Sequence, residues 1–214
     1  MPGSAEARPG ARLLVFAKAP LAGRVKTRLA RHYGAAQAAR FYRGMTALTL
    51  ARAAAAGPAR LELWCAPGVS HPFLRGLARR HGARLRAQPP GDLGRRMGRA
   101  LEERLPALVV GADCPTVSTA MLREALDVLE AGADAVLGPA EDGGYVLIGL
   151  GRPLPGLFQA MPWGSPEVLS RTRQRLRAGG WHWHELPPVF DLDRPADLRR
   201  WRAENPRAHT AGGP

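Results

Sequence analysis

The hydrophobic positions of the chain fall into short apolar runs, separated by longer stretches in which apolar residues recur with helical spacing. The first run, residues 12–16, is nearly continuous, which is typical of a strand buried on both faces of a parallel sheet. Comparable runs, bounded by glycine and proline, predict further strands at residues 61–65, 85–87, 107–111, 135–137, 144–150 and 181–186.

The stretches between these runs predict helices. Their bounds, set by periodicity and by glycine or proline at the ends, are residues 25–33, 35–56, 72–81, 93–105, 119–130, 166–178 and 196–203. Alternating strands and helices predict an α/β fold, a three-layer α/β/α sandwich with a mainly parallel sheet. In such a fold the ligand crevice lies beyond the carboxyl ends of the strands.

The length of 214 residues suits a single domain, which the pattern assigns to residues 11–205. Residues 1–10 and 206–214 have no core pattern, and we predict that both are flexible. No stretch reaches the roughly 20 apolar residues of a membrane helix, and the run at residues 13–17 is too short for the core of a signal peptide. The sequence therefore predicts a cytoplasmic protein without a membrane partner.

The formal net charge of +13 favours an anionic partner. The arginines are spread over nearly every segment, without the basic run or interleaved aromatic residues of a dedicated nucleic-acid site. A small substrate that carries phosphate explains the charge equally well. The two lysines, Lys18 and Lys26, fall in one short segment, which indicates positions that need an ammonium group, unless their proximity is chance.

The loop that follows the first strand is the first candidate site. A loop that enters a helix offers free backbone N–H groups and the positive end of the helix dipole, which together suit a phosphate. The candidate phosphate-binding residues of this loop are Lys18, Gly23, Arg24, Lys26 and Arg28. The pattern is neither GxxxxGK[ST] nor GxGxxG, so the P-loop ATPase and dehydrogenase classes lose support. The alternative is an exposed, solvated basic turn.

Carboxylates at the ends of two apolar runs are the second candidate. Asp113 follows the strand at residues 107–111, and Mg²⁺ bound together with substrate phosphates commonly takes only one or two protein carboxylates. Asp191 and Asp193, one position apart in an extended stretch, point the same way, and either could supply a second ligand. The alternatives are an Asx turn or helix cap for Asp113, ahead of Ser118, and a helix cap for Asp193.

Two further segments carry candidate substrate contacts. In the turn before the strand at residues 144–150, Gly143 and Gly144 would let the backbone approach a ligand, and Asp142 could accept hydrogen bonds from a base or a sugar hydroxyl. The alternative is an ordinary hairpin turn. Asp92 is a similar case, because it could equally cap the helix that follows it.

Five segments in order give a resemblance to a known family. They are FAKAPLAGRVKTRL, GDLGRRM, VVGADCP, LGPAEDGGYVLIGL and DLDRPADL, and they span roughly residues 12–202. This set resembles the DUF2064 family, also called the radical-SAM/selenodomain-associated transferase 1 family, whose members are often described as arsenosugar-biosynthesis glycosyltransferases. The resemblance implies the GT-A fold of nucleotide-diphospho-sugar transferases.

The resemblance also implies roles for individual residues. The loop that contains Lys26 takes the place of the phosphate-binding loop, with Lys26 and Asp113 as catalytic residues. Asp113 takes the place of the metal-binding aspartate and Asp193 that of a second carboxylate, with Mg²⁺ or Mn²⁺ as the ion. The Asp-x-Asp pair of typical GT-A glycosyltransferases reads Asp113-Cys114-Pro115 here, which is closer to nucleotidyltransferases.

The resemblance favours a glycosyltransferase that uses a nucleotide sugar and a small-molecule acceptor. The alternative is a guanylyl- or cytidylyltransferase that binds a nucleotide and releases pyrophosphate. A nucleic-acid-binding protein is a third class, which only the positive charge favours.

Overall fold

The fold is built around one mixed sheet, and the computed structural model describes residues 10–205. The predicted flexible segments, residues 1–10 and 206–214, lie outside the described residues apart from Gly10. The strands are β1 (Arg12–Lys18), β2 (Arg60–Ala66), β3 (Arg84–Ala87), β4 (Ala107–Gly111), β5 (Ala135–Pro139), β6 (Tyr145–Leu150) and β7 (Trp183–Glu185). The helices are α1 (Thr27–Tyr33), α2 (Ala35–Ala55), α3 (Pro72–Arg80), α4 (Leu93–Glu102), α5 (Thr119–Glu130), α6 (Val168–Ala178) and α7 (Pro195–Glu204).

The seven strands lie in the order β3-β2-β1-β4-β6-β5-β7. Strand β6 runs antiparallel to both of its neighbours, β4 and β5, while the other four pairings are parallel. The prediction of a mainly parallel sheet is thus confirmed.

Helices cover both faces of the sheet, because successive residues of the strands point to opposite sides. Leu13 and Val15 of β1 pack in a core with residues of α2, α3 and α5, whereas Leu14 packs in a second core with residues of α4 and α6. All three residues are fully buried. The three-layer α/β/α sandwich expected from the sequence is therefore confirmed.

A third, smaller core packs the first two helices, α1 and α2, against the last helix, α7, and the segment before it. Leu29 of α1, Met45 of α2 and Trp201 of α7 pack together with Phe190 and Leu192. This packing brings the segment before α7 against the loop that follows β1. Two predicted site segments, far apart in sequence, become neighbours in this way.

Three predicted helix ends differ from the structure by two residues or more, and one of them is the start of the helix predicted from residue 166, which begins at Val168. The helix expected from residue 25 begins at Thr27, because Lys26 has a left-handed backbone (φ 45°, ψ 49°) that cannot continue a right-handed helix. The helix expected to reach residue 105 ends at Glu102. Carbonyl groups near its end, those of Ala100 and Leu101, accept hydrogen bonds from the guanidinium of Arg12.

Two further features are the lengths of the helices and the state of the cysteines. Within residues 10–205, no helix is both long and apolar enough to cross a membrane. Cys65 and Cys114 are free and buried.

Candidate functional site

The candidate site lies where the strand order reverses. From β1 the chain continues to β2 and β3 on one side and then returns to place β4 on the other side of β1. The loops that leave the neighbouring parallel strands β1 and β4 lie side by side at the carboxyl edge of the sheet, which is where open α/β sheets bind ligands. One loop carries Lys26, and the other carries Asp113.

Lys26 joins the two loops to the segment before α7. Its ammonium Nζ lies 2.9 Å from Oδ2 of Asp113 and 2.7 Å from Oδ1 of Asp193. The Lys26 side chain is 4% exposed, whereas the two aspartate side chains are 42% and 40% exposed. Arg28 approaches the other oxygen of Asp193 at 3.5 Å, which makes Asp193 the shared partner of two cations of the loop.

The backbone of Lys26 is strained. Only two non-glycine residues among residues 10–205 have a positive φ, and Lys26 is one of them. Such a conformation costs on the order of 1–3 kcal/mol and persists where the surrounding structure enforces it, often at functional sites. In this conformation the Lys26 side chain is buried and contacts the two carboxylates.

Electrostatics keep this cluster ionised. Burial by itself would lower the pKa of Lys26, but the charges of Asp113 and Asp193 outweigh it and raise the pKa above its ordinary value. Burial by itself would likewise raise the pKa of Asp113, and the charge and hydrogen bond of Lys26 lower it instead. Lys26 and Asp113 are therefore both charged at neutral pH.

Asp191 has a different environment. Its Oδ1 lies 3.8 Å from the Cys114 thiol, which also lies 4.0 Å from Oδ1 of Asp113. Burial, and next the negative charge of Asp113, raise the pKa of Asp191 to about 6. Among residues 10–205 no salt bridge involves Asp191. Asp191 and Asp113 thus form a pair of neighbouring carboxylates in which one lacks a cation.

Two cavities meet at Asp113. The first, here called the basic cavity, has a volume of about 440 Å³. Its polar wall carries cations from the end of β1, the loop after it, the start of α1 and α4, namely Lys18, Arg24, Lys26, Arg28 and Arg96. Tyr42 and Gln88 also line it. This cavity can hold several negative charges next to the Asp113 carboxylate.

The second cavity, here called the aromatic cavity, has a volume of about 240 Å³ and lies on the other side of Asp113. Phe16, Tyr145 and Trp163 form part of its largely apolar wall. Its polar lining includes Asp113, Asp142, Asp191, Cys114 and Ser165. Phe16, Leu93, Gly111 and Asp113 line both cavities, so the two cavities are adjacent.

The structure separates the remaining predicted residues into two groups. Asp142 and Gly144 line the aromatic cavity, and Asp142 also accepts a hydrogen bond from the Gly144 N–H within the β5–β6 turn. Gly23, Asp92 and Gly143 line neither cavity. Asp92 caps α4 by accepting a hydrogen bond from the Arg95 N–H at 2.8 Å, as its alternative reading proposed.

Gly143 makes a close approach, but to the protein itself. Its φ is +87°, and a Cβ at this position would lie 2.3 Å from the carbonyl oxygen of Pro166. The glycine thus lets the β5–β6 turn pack on the segment before α6. Asp193 does not cap α7, which was the alternative to its role as a ligand, because Arg194 is the N-cap of this helix and Asp197 supplies the capping carboxylate.

Sequence reasoning missed the residues that hold the Asp113 loop in place. Arg52 of α2 donates hydrogen bonds to the carbonyl oxygens of Pro115 (2.5 Å) and Val117 (2.9 Å), and the Trp201 indole donates to Pro115 at 3.2 Å. The Lys18 backbone N–H likewise donates to the Tyr42 hydroxyl. No local pattern marks these residues, since their partners lie at least 24 positions away.

Comparison with known proteins identifies a class of protein that agrees with the fold and with the position of the crevice. The chain is similar to a protein from Desulfovibrio desulfuricans G20 that is provisionally named a nucleotide-diphospho-sugar transferase. The two share 30% identity and a TM-score of 0.81, over 91% of this chain and 87% of the other. Fold and site thus define a transferase of the nucleotide-diphospho-sugar transferase class. The chain belongs to the family described as "Uncharacterized protein conserved in bacteria (DUF2064)", whose profile matches residues 49–165.

More distant solved structures share the fold. A cytidylyltransferase from Leptospira borgpetersenii serovar Hardjo-bovis is 13% identical, with a TM-score of 0.60 over 92% of this chain and 87% of the other. Glucosyl-3-phosphoglycerate synthase from Mycobacterium tuberculosis, solved with Mn²⁺, UDP and glucosyl-3-phosphoglycerate, is 11% identical, with a TM-score of 0.51 over 97% of this chain and 82% of the other. No sequence among curated proteins matches the chain.

Proposed function

We propose that the protein transfers a glycosyl group from a nucleotide sugar to a small-molecule acceptor. The observation that carries this proposal is the contact of the basic cavity with the aromatic cavity at Asp113. A nucleotide sugar is a diphosphate joined to a sugar, and the cations of the basic cavity suit the diphosphate. The anomeric carbon would then lie near Asp113, and the acceptor would approach from the aromatic cavity.

A divalent cation, Mg²⁺ or Mn²⁺, fits the oxygen donors of this site. The structure contains no cluster of three or more His, Cys, Asp or Glu side chains suited to a metal within residues 10–205. The ion would therefore be held by two carboxylates together with substrate phosphates, as is common for Mg²⁺. When bound, it would neutralise the charge that develops on the diphosphate leaving group.

Asp113 and Asp191 are the pair that we propose for the ion, in preference to Asp113 and Asp193. Both oxygens of Asp193 face cations, Lys26 and Arg28. Oδ1 of Asp113 and Oδ1 of Asp191 instead face the same Cys114 thiol, which is a weak hydrogen-bonding group. A cation would relieve the repulsion between these two carboxylates.

Lys26 would act as a fixed positive charge beside the leaving group. Two of its three N–H groups are directed at Asp113 and Asp193, and the third is free to donate to a phosphate oxygen. Because the Lys26 side chain is nearly buried, its charge is poorly screened by solvent. Arg24 and Arg28, both exposed, would bind the outer phosphate oxygens.

Nucleotidyl transfer is the second candidate. It is favoured by the carboxylate arrangement, in which a single Asp113 joins a distant carboxylate instead of an Asp-x-Asp pair. In that reaction an acceptor oxygen attacks the α-phosphorus of a nucleoside triphosphate, and pyrophosphate leaves. The charge on the leaving group is again negative, so the basic cavity serves either reaction.

The released product distinguishes the two reactions. The full-length protein, incubated with Mg²⁺ and a panel of nucleotide sugars and acceptors, is expected to liberate a nucleoside diphosphate. The same protein with nucleoside triphosphates and acceptors is expected to release no pyrophosphate. Acceptor-dependent pyrophosphate release, with no cleavage across the nucleotide sugars, would replace glycosyl transfer by nucleotidyl transfer.

Three asparagine variants test which two carboxylates hold the divalent ion. Asp113→Asn should abolish turnover, since an amide replaces an anionic ligand. Asp191→Asn should raise the Mg²⁺ concentration for half-maximal activity by at least tenfold, whereas Asp193→Asn should leave it within about threefold. Asp92→Asn, which changes only a helix cap, is the control. A larger Mg²⁺ shift for Asp193→Asn than for Asp191→Asn would return the ligand role to Asp193.

A further inference from the structure

The aromatic cavity contrasts with the charge of the rest of the molecule. The chain has a net charge of +13. Among the described residues, no lysine, arginine or histidine lines this cavity, whereas three carboxylates do, those of Asp113, Asp142 and Asp191. A compound that carries a phosphate, sulfate or carboxylate would find no cationic side chain here. The divalent ion proposed for Asp113 and Asp191 would be shared with the phosphates of the donor, so the anionic group would face the carboxylate of Asp142. Like-charge contacts of this kind disfavour binding.

The walls of the cavity are aromatic and are held in place by packing. The rings of Tyr145 and Trp163 meet edge to face, with centroids 6.2 Å apart. Trp163 rests on the backbone of α4 at Gly94, where an added Cβ would lie 2.8 Å from its ring. Gly94 therefore lets the indole come close to the helix. A fixed aromatic wall of this kind binds an apolar or cationic body by stacking and by the attraction of its ring faces for cations.

From these two observations, and resting on the proposed function, we infer that the acceptor is a compound without anionic groups whose apolar or cationic portion lies on Trp163. The acceptor hydroxyl or amine would then face Asp113, next to the donor in the basic cavity. The cavity volume of about 240 Å³ sets a limit of a small molecule. The two cavities thus select by charge: phosphate is retained on one side of Asp113 and rejected on the other.

Four small probes test this inference without any nucleotide. Benzyl alcohol, benzyltrimethylammonium and benzyl phosphate share one ring and differ in charge, and glucose represents the sugar of a donor. Their dissociation constants for the full-length protein are measured by ligand-observed NMR titration. We expect the neutral and cationic benzyl probes to bind at least tenfold more tightly than benzyl phosphate and glucose.

Three variants locate the binding. Trp163→Ala should raise the dissociation constant of benzyl alcohol about tenfold, because it removes the aromatic wall. Trp181→Ala is the matched control, since Trp181 is also half-buried in the same hydrophobic core but does not line the cavity. Asp142→Asn should raise the dissociation constant of benzyltrimethylammonium about threefold, because it removes a negative charge from the cavity. The dissociation constant of benzyl alcohol should stay unchanged, because the amide oxygen keeps the hydrogen bond from Gly144.

The inference is overturned if benzyl phosphate binds as tightly as benzyl alcohol, if glucose alone binds, or if Trp163→Ala and Trp181→Ala behave alike. Nucleotide binding at the basic cavity is measured separately with UDP and the other nucleoside diphosphates. A protein that binds the benzyl probes but no nucleotide would contradict the proposed function. A protein that binds nucleotides but none of the benzyl probes would contradict only the proposed acceptor class.

Discussion

At the scale of single residues, Lys26 is the centre of the site. It combines a left-handed backbone, a nearly buried side chain and two carboxylate partners at 2.7 and 2.9 Å. A lysine is suited to this position because its ammonium is compact and can donate in three directions. An arginine would place a larger fork there, whose donors lie in one plane. The functional expectation for Lys26 follows from this geometry.

Lys26→Met should weaken the binding of a nucleoside diphosphate by about 1.5 to 3 kcal/mol, the range for hydrogen bonds to charged groups. The methionine keeps the volume of the stem and removes the charge. Isothermal titration of the variant with its best nucleotide measures the change, and Arg31→Ala on the exposed face of α1 is the control. Equal affinity of the Lys26→Met protein and the parent would mean that Lys26 only holds the two aspartates.

At the scale of secondary-structure elements, Arg12 ties the start of β1 to the end of α4 and to β2. Its guanidinium donates to the carbonyl oxygens of Ala100 and Leu101 and to Glu62, at 2.9, 3.0 and 3.2 Å. The side chains of Arg12 and Glu62 are 4% and 2% exposed. Removing either charge from such a buried pair leaves the other charge buried and unpaired, which is strongly destabilising.

Arg12→Ala should lower the free energy of unfolding by about 3 to 5 kcal/mol, the range for breaking a buried ion pair. Arg60 lies beside Arg12 in the register of β1 and β2 but is exposed, so Arg60→Ala should change stability by less than about 0.5 kcal/mol. Urea denaturation followed by circular dichroism measures both. If the two variants unfold at the same urea concentration, the buried pair makes no special contribution.

At the scale of the whole molecule, the positive charge has two possible targets, a small phosphate compound or a nucleic acid. The basic cavity gathers Lys18, Arg24, Lys26, Arg28 and Arg96 around one crevice. The aromatic cavity beside it contains no cation among the described residues. A nucleic-acid surface would need a wider basic face with stacking aromatic residues. The arrangement favours a small phosphate compound.

A nucleoside diphosphate at about 100 times its dissociation constant, with Mg²⁺, should stabilise the protein by about 2.7 kcal/mol. For a chain of this size, that raises the melting temperature by about 5 to 11 °C. A thermal-shift screen with and without Mg²⁺ measures the effect, and a random DNA duplex in 150 mM salt serves as the comparison. Stabilisation by the duplex and by no nucleotide would favour the nucleic-acid-binding class.

The sequence by itself determined the order and type of the elements, because helix and strand periodicities and glycine or proline punctuation are local properties. Helix α5, for example, has the predicted bounds, residues 119–130. It is capped by Ser118, whose hydroxyl accepts a hydrogen bond from the Met121 N–H. The loop that contains Lys26 and the strand that leads to Asp113 were recognisable for the same reason, since each follows an apolar run.

Only the tertiary structure decided how the site is assembled. The ion pair between Lys26 and Asp193 spans 167 positions, and Arg52 reaches the Asp113 loop across 63, so no local pattern could indicate either contact. The antiparallel placement of β6 and the aromatic wall at Trp163 likewise depend on how distant segments pack. Asp92 is a local case: the helix cap that the sequence offered as an alternative is present, and its partner is the backbone N–H three residues ahead. The chemistry of each residue is local, whereas its partners are set by the packing of the whole chain.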